Sequence, residues 1–241
     1  MILRSCFSIK LLCVVLLATP LTVAQESVPQ YDQGELLGWK LQIRKELKES
    51  EPEALSQALT ILEKQLQEIV DVVPEPAVAK LRGVTLWFSP VYPNEQPRCE
   101  YHPGAGWLKD HGRDPAMEKG VEFSNVGIFE TEYRRMPNFA LHELAHAYHD
   151  QFLQDGFSNS KIKFAHEKAH KSGSYDRVEQ RFGDGRSTQT KAYAMSNPAE
   201  YFAESTEAYF STNDFFPFTR EQLVKHDPTI AELLGTLWNH P

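Results

Sequence analysis

The sequence predicts a single α+β domain. Three observations lead there: long stretches with apolar residues at helical spacing, a compact strand-like run at 83–88, and a composition of 41% apolar and 24% charged residues over 241 positions. A chain of that size and balance buries a substantial core and is neither disordered nor fibrous. Its 25 Lys and Arg against 33 Asp and Glu leave a net charge of −8. Phosphate binding needs the opposite footprint, so no nucleic-acid partner is expected.

Residues 1–24 read as a cleavable signal peptide. Arg4 and Lys10 precede the apolar run Leu11-Leu12-Cys13-Val14-Val15-Leu16-Leu17-Ala18, and small residues lead to Ala24. The run is too short to span a bilayer. A secreted or periplasmic protein without a stable membrane span is therefore expected, with Cys99 as the one thiol left after cleavage and no internal disulfide. Residues 25–34 are a polar, flexible leader, and 35–241 form one domain.

Within 35–73 the apolar residues, among them Leu55, Leu59, Leu62, Leu66 and Ile69, recur at helical spacing, and Pro52 opens a second helix after a break near Ser50. This helical region is expected to pack on the main body. Pro74 and Pro76 end it, and the strand candidate at 83–88 is stopped by Pro90. The Pro- and Gly-rich stretch 89–120 reads as a long surface loop with local order. Residues 121–123 and 126–129 read as a strand or hairpin, and a long helix begins near Pro137-Asn138.

That helix carries His142-Glu143-Leu144-Ala145-His146. The i, i+4 spacing sets both imidazoles on one face, where they can share a metal, and Glu143 is placed to reach a water beside the ion. Two imidazoles make a poor site alone. The metzincin continuation is absent, since His149 stands where that pattern has Gly and Phe152 where it has the third His. A better third ligand lies in Asn197-Pro198-Ala199-Glu200-Tyr201-Phe202-Ala203-Glu204, where Asn197 is an N-cap and Pro198 a first helical residue. Glu200 and Glu204 share one face of an otherwise apolar and aromatic helix. Glu200 would bind the ion, and Glu204 would accept the N–H of a ligating histidine. His102, His111, His166 and His170 read as surface or loop residues, Cys99 with His102 is too little for a structural zinc, and the aromatic run 215–218 packs on the core.

Taken together, Tyr193-Ala194-Met195-Ser196-Asn197-Pro198-Ala199-Glu200-Tyr201-Phe202-Ala203-Glu204 and the His142 to His146 motif resemble the gluzincin-type metallopeptidases of the MtfA-like and anthrax lethal factor catalytic-domain group. The resemblance covers roughly residues 137–214. It implies a zincin-like domain with an active-site helix, a small mixed sheet and an amino-terminal helical region. It also implies Zn²⁺ on His142, His146 and Glu200, Glu143 as general base, Tyr193 assisting the oxyanion, and a peptide or protein substrate. Glu204 falls where the lethal factor type has a supporting glutamate. The stretch 161–190 between the two motifs is expected to edge the cleft and control entry. The strand candidate at 120–129 would take an extended peptide by strand addition. The competing readings are a secreted zinc-binding or interaction protein without turnover and an amidase acting on a cell-wall peptide, which would share the same metal centre.

Overall fold

The computed structural model describes residues 29–239. The signal peptide read at 1–24 and the first part of the leader lie outside them. Two antiparallel strands open the described chain, β1 (Tyr31–Leu36) and β2 (Trp39–Arg44). Leu37 and Gly38 turn between them at φ of 51° and 91°, the left-handed pair that a two-residue hairpin requires. This corrects two expectations, a flexible leader through 34 and a helical start at 35. The reason is a period of two: Trp39, Leu41 and Ile43 are buried while Lys40, Gln42 and Arg44 are not.

Helices α1 (Lys45–Ser50), α2 (Pro52–Val72) and α3 (Glu75–Leu81) then cross over to β3 (Leu86–Phe88), which lies parallel to β2. Pro52 is the first residue of α2, whose inner face is Leu55, Ala58, Leu62, Leu66 and Ile69. The 89–120 stretch contains β4 (Cys99–Tyr101) and α4 (Ala105–Asp110) before β5 (Val121–Phe123). The sheet order is β1-β2-β3-β5-β4, with β5 parallel to β3 and antiparallel to β4. Residues 126–128 form a 3₁₀ turn into α5 (Phe129–Arg135), not a second strand.

The second half is helical apart from one hairpin: α6 (Phe139–Phe152), α7 (Ser160–Ser172), β6 (Val178–Arg181), β7 (Ser187–Thr190), α8 (Pro198–Phe210), α9 (Arg220–His226) and α10 (Pro228–Leu237). The protein is thus mixed α+β. Helices α6 and α8 pack on each other, and behind them Trp238 stacks on Tyr148 with ring centroids 4.1 Å apart while its indole N–H donates to Thr206 at 3.2 Å. Asn138 starts α6 by accepting from the Leu141 amide at 3.0 Å. Its side-chain N–H₂ donates to the Gln65 carbonyl and to Glu68, both at 3.0 Å, so α2 holds the head of α6. The β6–β7 hairpin is seated at Gly183, where an added Cβ would lie 2.7 Å from the Arg134 and Arg135 backbone. Among the described residues no helix is long and apolar enough to cross a membrane.

Candidate functional site

Helix α6 presents His142, His146 and His149 along one stripe, and α8 presents Glu200, Glu204 and Glu207 along another at the same i, i+4, i+7 spacing. Packing the two helices brings three donor atoms together. His142 Nε2 lies 3.2 Å from Glu200 Oε2 and 3.2 Å from His146 Nε2, and His146 Nε2 lies 3.3 Å from Glu200 Oε2. In a tetrahedral complex the ligand separation is about 1.6 times the bond length, so this triangle fits bonds of about 2.0 Å, the value for zinc with nitrogen and oxygen donors. Two imidazoles and a carboxylate fill three corners and leave one open.

The electrostatics point the same way. Burial opposes protonation of His142, but the carboxylates of Glu207 and Glu200 outweigh it and push His142 well above the usual imidazole value. Burial would raise Glu200, yet its hydrogen bonds to His142 and His146 hold it far below the usual carboxylate range. The pocket therefore favours positive charge at the centre of the triangle, which protons or a cation can supply.

The supporting carboxylate is Glu207, which corrects the expectation for Glu204. Glu207 Oε1 lies 2.5 Å from His142 Nδ1, whereas Glu204 Oε1 is 3.9 Å away. When His142 is neutral, that bond favours the proton on Nδ1 and leaves Nε2 free to ligate. Burial pushes Glu207 up to about 7 against the pull of His142. Glu204 is fully buried beside it, accepts from Asn213 Nδ2 at 3.0 Å, and is raised by burial and by the Glu207 charge. Asp214 completes the acidic floor and is bonded by Arg135 at 2.9 Å.

Glu143 points into the same cleft from the other side of α6. Its Oε2 accepts the backbone N–H of Tyr101, in β4, at 2.8 Å. Burial raises it, opposed by the field of His142 and His146, so it is a stronger base than a free carboxylate. Tyr193 stands half-exposed on the opposite wall, its phenol kept protonated by partial burial and by the Glu200 charge. The cleft has a volume near 520 Å³, with Arg98, Cys99 and Tyr101 on one side and Gln180, Tyr193 and Phe215 on the other. Gln180 belongs to the stretch expected to edge the cleft, and Phe215, buried with Phe218, both packs and lines.

Strand addition on 120–129 is not available, because β5 is paired on both sides; the edges of this sheet are β1 and β4, and it is β4 that lines the cleft. His102 is not a surface residue either. It is buried, with Nε2 2.8 Å from Glu122 Oε2, and Arg113 donates to that oxygen at 2.9 Å and to Glu100 as well. Glu100, His102 and Glu122 could by spacing hold an ion, but the Arg113 guanidinium already supplies the positive charge there. His149 is buried against Phe157 and Phe202 and belongs to none of the ligating groups among the described residues. His111 and His170 are exposed and His166 is half-buried, and none of them joins such a group. Glu207 and Tyr101 were missed in the sequence; the i+7 spacing from Glu200 was a signal for the first, and nothing local marks the second. Comparison with protein-family models, curated proteins and solved structures finds no match.

Proposed function

We propose that the chain is a secreted or periplasmic zinc metallopeptidase of the gluzincin type, with a zincin-like domain and Glu143 as its general base. The observation that carries this reading is the triangle of His142, His146 and Glu200 donors, with Glu143 beside it and an open corner facing the cleft. The export signal read at 1–24 supports the location.

A divalent ion held by these three side chains would supply Lewis acidity towards water and a carbonyl oxygen. The rest of the chemistry belongs to the protein. Glu143 has one oxygen anchored on the Tyr101 amide, which turns the other to the cleft, where it takes a proton from the attacking water and passes it to the leaving amine. The Tyr193 phenol donates to the developing oxyanion. Edge strand β4 supplies the backbone for an extended peptide. The Arg98 carbonyl and the His102 amide bond Ser124 and Gly120, which flank β5, at 2.9 Å each, so by alternation Cys99 and Tyr101 turn their backbone groups away from β5; the Tyr101 amide is taken by Glu143, and both groups of Cys99 and the Tyr101 carbonyl are left for the peptide.

The test is metal content by elemental analysis and cleavage of a broad peptide library, on the chain from residue 25 and on Glu143→Gln. One zinc in both, with cleavage by the wild type alone, is the expected outcome. Zinc in both without cleavage by either would favour a zinc-binding protein or a non-protein amide substrate, and no zinc in either would remove the metal centre.

A further inference from the structure

Tyr101 makes a second bond to α6, two turns from the first. Its phenol O–H donates to Asp150 Oδ2 at 2.6 Å, and Lys119 Nζ bonds the same oxygen at 2.6 Å. Gln151 in turn donates to the Lys119 carbonyl at 3.1 Å. Glu143 and Asp150 are i, i+7 on one helix face, about 10 Å apart along the axis. One residue of the edge strand thus grips α6 at both places, by its backbone at Glu143 and by its side chain at Asp150. Phe157 closes the space between them, edge-on to Tyr101, His146 and His149 at centroid distances of 6.4, 6.4 and 5.1 Å.

A strand of three residues with a partner on one side only has little of its own to fix its height over a helix. The backbone bond at Glu143 cannot do it alone, because a carboxylate on a rotatable stem follows wherever the amide goes. The phenol bond is different. It is made by a buried ring with few rotamers to a short, partly buried acid that Lys119 also holds, so it determines where the 101 amide sits.

We infer that Tyr101, Asp150 and Lys119 form a clamp that positions β4 on α6 and thereby sets the orientation of the Glu143 carboxylate. Tyr101 and Asp150 are positioning residues, acting on the reacting atoms through Glu143. The inference rests on the role proposed for Glu143, but the clamp itself has a readout that needs no activity.

That readout is hydrogen exchange of the amide at position 101, followed by NMR in the wild type, Tyr101→Phe, Asp150→Ala, Asp150→Asn and the double variant Tyr101→Phe/Asp150→Ala. Exchange is expected to speed by about tenfold or more in Tyr101→Phe and in Asp150→Ala, and no further in the double variant, since both remove one interaction. Asp150→Asn keeps an oxygen to accept from the phenol and is expected to remain within about threefold of wild type. On a peptide that the wild type cleaves, kcat is expected to fall about tenfold in Tyr101→Phe with zinc content unchanged, and to be restored in Asp150→Asn. Unchanged exchange in Tyr101→Phe, or additive losses in the double variant, would overturn the clamp. If Tyr101→Phe or Asp150→Ala unfolds, the midpoint of its thermal transition reveals it, and exchange in the other of the two still decides. Altered exchange with no cleavage by any protein would leave the clamp standing and remove the proposed function instead.

Discussion

At the scale of single residues, the centre depends on which glutamate of α8 meets His142. Glu207 does, at 2.5 Å, and a carboxylate behind a ligating imidazole raises its basicity and holds its ring. Glu207→Gln is therefore expected to weaken zinc binding by about 10- to 100-fold in competition with a chelator, whereas Glu204→Gln leaves it within a few-fold. Equal losses from the two would show that the carboxylates act as one group. His149 carries a separate consequence. Burial, and then the nearby His146, depress it to about 4, below the ordinary 6.5. The unfolded chain thus takes up a proton that the folded chain refuses. His149 costs nothing above pH 6.5, and stability is lost as the pH falls from there to 4. His149→Leu should remove that loss, which is on the order of 3 kcal/mol from the size of the shift. Urea unfolding at pH 7 and pH 4.5 measures it, and parallel pH slopes for variant and wild type would contradict it.

At the scale of elements, what holds the centre together is how α6 and α8 begin. Asn197 caps α8 through the Ala199 and Glu200 amides at 2.8 and 3.0 Å, which places Glu200 in a rigid first turn. Asn138 caps α6 and also ties it to α2. Asn138→Ala should cost about 2 kcal/mol in denaturant unfolding, one part for the cap and another for the buried bonds to Gln65 and Glu68; a loss below about 0.5 kcal/mol would mean that α2 does not anchor the helix. Both helix starts were legible in the sequence, because caps and Pro at N1 are local signals. So were the His142, His146 and Glu200 positions, which follow from spacing along one helix and the start of another. Strand β4 was not legible: three residues in a Pro- and Gly-rich stretch become a strand only because β5 offers a ladder. Glu204 was named and Glu207 was not, because the stagger of two packed helices is set by their apolar faces and cannot be counted along either one. His102 was misplaced for a related reason, since Glu122 and Arg113, which make its burial tolerable, come from elsewhere in the chain.

At the scale of the molecule, the three donors come from opposite sides of a packed interface and meet only when the chain is folded. An ion that binds there binds the native state alone, so stability should rise with free zinc, by about 1.4 kcal/mol for each tenfold increase above the dissociation constant. Thermal unfolding at fixed zinc activities tests this, and His146→Ala should abolish the dependence; a zinc-independent midpoint in the wild type would rule out binding at the triangle. The short β4 has a further consequence. An unprotected strand at the rim of a sheet invites another copy of the same chain to dock on it and so begin a fibre. Here the rim is three residues long, and one of its outward N–H groups is already committed to Glu143. Two such short rims offer each other few groups to pair, so β4 can seat a peptide within the cleft without being a template long enough to start a fibre.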